Sequence, residues 1–430
     1  MIYTFHELNR TLLGPVNLMA SSYSKMFSTP GSWLSQLPGA ARVGAGYEFL
    51  YQITKNYEKP EFNIHSVEVR GATVPVIEQT ALAKPFCRLQ RFKRYSDKAD
   101  VLAELKRDPV VLVVAPLSGH HATLVRDTVC SLLTGHKVYI TDWLDARTVP
   151  LDQGTFTLDD YVSYIRDFIR HIGAERLHVI SVCQPAVPVL AAVAQMAAAG
   201  EQEPCSLTII GGPVDTRYSP TEVNKFAATR SLSWFENHLV HRVPQNHPGR
   251  GRRVYPGFLQ HAAFLSMNPS RHMTSHWNYY QHLVQGDLED ASAHRRFYDE
   301  YNAVLDMPAE YYLDCIRVVF QQHLLPRGLW YIDGERVAPE AITRASLLTI
   351  EGELDDITGL GQSKAAHDLC SGISADRKRH LTVHGAGHYG IFSGRRWREK
   401  VYPQVRDFIA ACEASSPALA ANQIGADLTA

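Results

Sequence analysis

Between Pro109 and Asp215 four apolar runs alternate with helical stretches, and this alternation restricts the fold more than any other feature of the sequence. "PVVLVVAPLSG" (Pro109 to Gly119) is continuous apolar text ending in a glycine loop, as a strand buried on both faces requires. "ATLVRDTVCSLLTG" reads as a helix and "HKVYITDW" as the next strand. "DYVSYIRDFIRHIG" places Tyr161, Ile165, Phe168, Ile169 and Ile172 on one helical face. "LHVISV", "PAVPVLAAVAQMAAAG" and "SLTIIGGPVD" continue as strand, helix and strand. Successive βαβ units imply an α/β fold with a doubly wound, mostly parallel sheet.

The alternation stops at about Thr216 and resumes at about Ala345 with "ASLLTIEGELDDIT". The intervening text is helical and rich in histidine and aromatic residues, and it reads as a cap inserted between two sheet strands. The expected organisation is a helical N-terminal segment (1–64), a core (65–215 and 345–413), a helical cap or lid insertion (216–344) and a disordered tail (414–430). In the N-terminal segment Leu8, Leu12, Val16 and Met19 recur at near-helical spacing, and packing against the core is the simplest expectation for them. Pairing of subunits into a homo-oligomer and contact with an apolar surface are the alternatives. In the cap, Tyr279, Tyr280, Tyr311 and Tyr312 suit a small satellite core, whereas Trp234, Phe235 and Trp277 suit a slot for substrate.

Lys and Arg are spread along the chain, the net charge is −1, and nothing predicts a nucleic-acid partner. The one basic cluster, "HPGRGRRVYPG" (His247 to Gly257), reads as a solvated loop. The seven cysteines are scattered without CxxC or Cys/His spacing, which argues against a disulfide framework and against a metal site. Neither a secretory signal nor a run of 18 apolar residues is found, so no transmembrane segment and a reducing cytoplasm are expected.

The strand "LHVISV" runs into Cys183 and Gln184-Pro185, with a helix leaving directly after. Such a strand-to-helix turn is where a nucleophile is displayed, usually as Gly-x-Ser-x-Gly. Here both glycines are missing, and the turn can do without them if a bend in the sheet relieves it, Ser181 being small and Pro185 rigid. The helix N-terminus directs free N–H groups at the sulfur and favours thiolate. Downstream, in the order nucleophile, acid, base, come an acidic turn after "LLTIEGELDD" and the loop "HGAGHYGIF". His388, between glycines, is preferred to His384 as base. Asp355 leads as the acid, with Glu353, Asp356 and Asp215 as alternatives. The oxyanion would rest on the backbone N–H groups of Gln184 and Ser118. His120 and His121 either line the pocket or face solvent. No cofactor or metal is called for.

"SVCQPAVPVLAA", "GELDDITG" and "HGAGHYGIFSGRRW", with "YEFLYQITKNYEKPEF" and "TDWLDARTVP", resemble the intracellular poly(3-hydroxybutyrate) (PHB) depolymerases over nearly the whole chain. The resemblance implies an α/β-hydrolase fold and a triad falling on Cys183, Asp355 and His388. It also implies a cytoplasmic enzyme at the surface of PHB granules, its partner being the granule. It would release 3-hydroxybutyrate oligomers or monomers, or 3-hydroxybutyryl-CoA if coenzyme A serves as co-substrate. The alternatives are a polyhydroxyalkanoate synthase-like acyltransferase, whose box keeps a glycine-rich turn after the cysteine, and a non-catalytic granule coat protein.

Overall fold

The computed structural model describes residues 2–415, so the tail expected to be disordered lies, from 416 on, outside the described residues. Strands β1 (Ser66–Val69), β2 (Ala72–Lys84), β3 (Cys87–Arg94), β4 (Val110–Val114), β5 (Lys137–Trp143), β6 (Leu177–Val182) and β7 (Ser206–Ile210) come first. The cap contributes β8 (His241–Arg242), β9 (Arg253–Tyr255), β10 (Met307–Pro308) and the pair β11 (Tyr331–Ile332) and β12 (Glu335–Arg336). β13 (Ser346–Gly352) and β14 (Lys378–Val383) then rejoin the main sheet. That sheet has nine strands in the order β1-β2-β3-β5-β4-β6-β7-β13-β14. β1 to β3 pair antiparallel, and every pairing from β5 to β14 is parallel.

Because β4 is buried on both faces, its side chains divide by strand alternation. Val111 and Val113 join Val138, Ile140, Ile180 and Val182 on one side, covered by α4 (Arg126–Leu132) and the C-terminal helix Tyr402–Ala414. Leu112 and Val114 join Val179 and Leu207 on the other, against α5 (Leu158–Ile172) and α6 (Ala186–Ala198). Each fully buried aliphatic or aromatic side chain here contributes roughly 1.5–3 kcal/mol. Helix α5 starts at a capping box: Thr157 Oγ1 accepts the Asp160 N–H, and the Asp160 carboxylate accepts the Thr157 N–H at 2.8 Å.

Between β7 and β13 lie α7 (Glu222–Thr229), α8 (Leu232–Leu239), α9 (Gly257–Met267), α10 (Pro269–Gln285), α11 (Leu288–Asn302) and α12 (Ala309–Asp314). Tyr279, Tyr311, Tyr312 and Phe235 are buried, with Tyr311 stacked on Tyr161 of α5 at 5.4 Å, whereas Trp277 is exposed. Phe235, one of the three residues offered as slot-lining, is therefore a core residue. The basic cluster is not wholly a solvated loop either. Arg252 is buried and donates to the carbonyls of Val149, Pro150 and Gly154, because the 147–154 turn leaves several acceptors without helix or strand partners.

The N-terminal helices are α1 (Ile2–Ser28) and α2 (Ala40–Thr54), packed on each other, with α2 also against α10. The apolar stripe expected to face the core faces outward instead: Leu8, Leu12 and Met19 are exposed, and so are Phe5, Leu18 and Trp33. α1 is anchored at its N-terminus by Tyr3, packed on Phe258, and by polar contacts. Tyr3 donates to Asp306 Oδ2 at 2.6 Å, and Asp306 also accepts the Gly257 N–H. Asp145, at the end of β5, accepts the Asp306 N–H and pairs with Arg147.

Burial, then the charge of Asp306, raises the Asp145 pKa to about 7 against the partial opposition of Arg147. An acid raised in the fold binds its proton there more tightly than in the unfolded chain. It therefore favours the fold at low pH, and this contribution is lost as pH rises from about 3.8 through about 7. Asp145→Asn, neutral throughout, is expected to gain thermal stability relative to wild type as pH climbs through that window. A Tm difference that stays flat from pH 4 to 8 would contradict the assignment.

Candidate active site

The C-terminal ends of β4, β6, β7, β13 and β14 all meet at one edge of the sheet, where open α/β sheets present their functional loops. Cys183 stands directly after β6 with φ of 68°, in the left-handed region that a residue with a Cβ occupies only at a cost of roughly 1–2 kcal/mol. The strain sits on Cys183 itself, held by a 2.7 Å bond from its N–H to the Ile210 carbonyl and by the Ala186 N–H on its own carbonyl. Pro185 follows with φ of −63°, compatible with the entry to α6.

Space for this turn comes from the neighbouring strand. A Cβ on Gly212, just beyond β7, would lie 2.2 Å from Ala186 Cβ and 3.3 Å from the Cys183 carbonyl oxygen. The adjacent Gly211 has φ of 57°, and a Cβ there would meet His388 Cε1 at 3.1 Å. Gly211 and Gly212 thus make room for elbow and imidazole together. The sequence reading missed both, although the pair "GG" closing a strand was the available signal.

His388 follows β14 on a short 3₁₀ turn, and its Nδ1–H donates to Asp355 Oδ2 at 2.7 Å, both side chains being buried. Asp355 Oδ1 accepts the N–H groups of Ile357 and Thr358 at 2.9 and 2.8 Å, which fixes the carboxylate. Burial opposes a charge on the imidazole, but Asp355 and then Cys183 outweigh it and raise the His388 pKa well above its ordinary value. Cys183, Asp355 and His388 therefore come together. The alternatives do not join them: the His384 side chain is 85% exposed beside Glu353, Asp215 pairs with Arg217, and Asp356 is bound by Asn268 of the cap.

The Gln184 side chain also holds the site together. Its Oε1 accepts the Leu117 N–H at 3.2 Å, tying the loop after β4 to the elbow. His120 and His121 in that loop are buried, not solvent-facing. His120 Nε2 bonds the Tyr301 carbonyl, and the Leu305 N–H donates to the Gly119 carbonyl, so the loop is also fastened to the cap. Burial, with the neighbouring His261, lowers the His120 pKa to about 4, which leaves the ring neutral.

A parallel sheet wound on both faces, a strained cysteine elbow after a central strand, and an Asp–His pair after the last two strands define an α/β hydrolase. The C-terminal half carries a closer likeness. Residues 211–413, which include Asp355, His388 and the cap, match the family model described as "PHB de-polymerase C-terminus". Cys183 lies N-terminal to the matched region. Fold and family match together place the chain among ester hydrolases.

Solved structures with a similar course include Paleococcus ferrophilus monoacylglycerol lipase, at 12% identity and a TM-score of 0.41, covering 70% of this chain and 94% of that one. Another is the 2-hydroxy-6-oxo-6-phenylhexa-2,4-dienoate hydrolase of Rhodococcus sp. strain RHA1, at 13% identity and 0.41, covering 79% and 100%. No curated protein matches the sequence.

Proposed function

We propose that the protein is an intracellular PHB depolymerase acting on amorphous polymer through Cys183, His388 and Asp355. The observation that carries this reading is the buried His388 ring, oriented by Asp355 at Nδ1 and facing the cysteine of a strained elbow. His388 takes the Cys183 proton, and the thiolate attacks the ester carbonyl. The tetrahedral oxyanion is held by the Gln184 and Ser118 N–H groups. As the C–O bond breaks, His388 returns the proton to the leaving alkoxide, and a thioester acyl-enzyme remains. Water, deprotonated by His388, attacks the thioester, the C–S bond breaks, and the hydroxyacid leaves. Coenzyme A is a competent acceptor by the same route, giving 3-hydroxybutyryl-CoA and no net water consumption. None of these steps draws on a metal or an organic cofactor.

The protein should clear a suspension of amorphous PHB and release soluble 3-hydroxybutyrate or its oligomers, with acyl-CoA appearing if coenzyme A is the acceptor. No clearing, together with thiol release from 3-hydroxybutyryl-CoA, would replace this reading with a synthase. The site of action is proposed to be the granule surface. No helix among the described residues is long and apolar enough to cross a membrane. The exposed stripe on α1, with no charged residue between Thr11 and Ser24, suits a neutral polyester face. Leu12→Glu combined with Leu18→Glu should weaken binding to PHB granules by about tenfold or more. Turnover of a soluble 3-hydroxybutyrate trimer should be unchanged. Equal granule binding by the variant would remove α1 from the contact.

A further inference from the structure

Beside the Asp355–His388 pair lies a cavity of about 270 Å³ between the core and α9 to α11 of the cap. Its core-side wall is Asp356, Ile357 and Tyr389, the residues that directly follow Asp355 and His388. The cap side brings the rings of Phe264, Tyr298 and Tyr301, and one permanent cation, Arg271 of α10. Asp356 shares the cavity, but its Oδ2 is taken by the Asn268 amide. Tyr389, next to His388, lines the cavity. Burial, then Tyr301, Cys183 and Asp356, raise its pKa, and the Arg271 guanidinium pulls the other way.

Position decides which half of an ester enters here. His388 must hand its proton to the leaving oxygen, so the alcohol half lies on the His388 side of the sulfur. In a 3-hydroxyacid polyester the alcohol half is the part that runs to the chain's carboxyl end. We propose that this cavity is the leaving-group subsite, and that Arg271 binds the terminal carboxylate of a short 3-hydroxyalkanoate chain. The aromatic walls would cover its methyl and methylene groups. At the lower limit of ligand cavities, roughly 300–1,000 Å³, the space suits a few units, not a long chain. Cleavage then proceeds from the carboxyl end and releases short hydroxyacid oligomers. This assignment rests on the depolymerase reading above.

The test compares kcat/KM for the 3-hydroxybutyrate trimer with a free carboxylate and for its methyl ester, in wild type and Arg271→Gln. A charge-assisted bond to a carboxylate predicts that wild type prefers the free acid by on the order of tenfold to hundredfold. Arg271→Gln should lose that preference while hydrolysing the methyl ester at the wild-type rate, and Arg271→Lys should recover part of it. Arg271 is on the cap surface, so an unchanged melting temperature checks that the variant folds. Equal wild-type rates on acid and ester, or equal losses on both in the variant, would overturn the subsite while leaving the depolymerase reading intact. Wild type cleaving neither trimer nor polymer would overturn both.

Discussion

Cys183→Ala is expected to lower hydrolysis of amorphous PHB by on the order of 10⁴-fold or more, to the background of the suspension. Without the sulfur no acyl-enzyme forms, and the Asp355–His388 pair has no proton to collect. Clearing that survives in the variant would exclude Cys183 and require another nucleophile. Stability should move differently from activity. The φ of 68° belongs to the elbow and remains when alanine replaces cysteine. Cys183→Gly, which lacks the Cβ, should exceed Cys183→Ala in unfolding free energy by about 1 kcal/mol. Denaturant unfolding of the two inactive variants reads this directly, and equal stability would show that the turn carries no strain.

Asp355→Asn should lower kcat by about 10⁴-fold, with a much smaller change in KM. Asparagine can keep Oδ1 on the Ile357 and Thr358 N–H groups, but then presents an NH₂ to His388 Nδ1. The ring must answer with a bare Nδ1 and a proton on Nε2, the wrong tautomer for receiving the Cys183 proton. The pH profile supplies an independent readout. Against the effect of burial, Asp355 and then Cys183 raise the His388 pKa, so imidazolium persists to higher pH in wild type. Removing the carboxylate charge should move the limb that reports His388 towards lower pH. A limb that stays in place while kcat falls would mean that Asp355 acts only through packing.

The sequence by itself determined the elements, their order and three of the loops. Apolar runs such as "VVLVV" specify strands buried on both faces because no polar side chain interrupts them, and helices of 3.6 periodicity between them force parallel pairing. The order Cys183, Asp355, His388 was legible because each residue ends a readable strand. Tertiary structure decided what depends on neighbours distant in sequence. The sequence preferred His388 to His384 only for its place between glycines, and the tertiary structure adds the physical contrast: His388 is buried beside Asp355, whereas His384 is exposed. The room for a turn without flanking glycines came from Gly211 and Gly212 on the adjacent strand. The outward face of α1 was hidden for the same reason. An amphipathic stripe records that a helix has an apolar side, but only the packing of α1 at Tyr3 and Asp306 fixes the direction in which that side points.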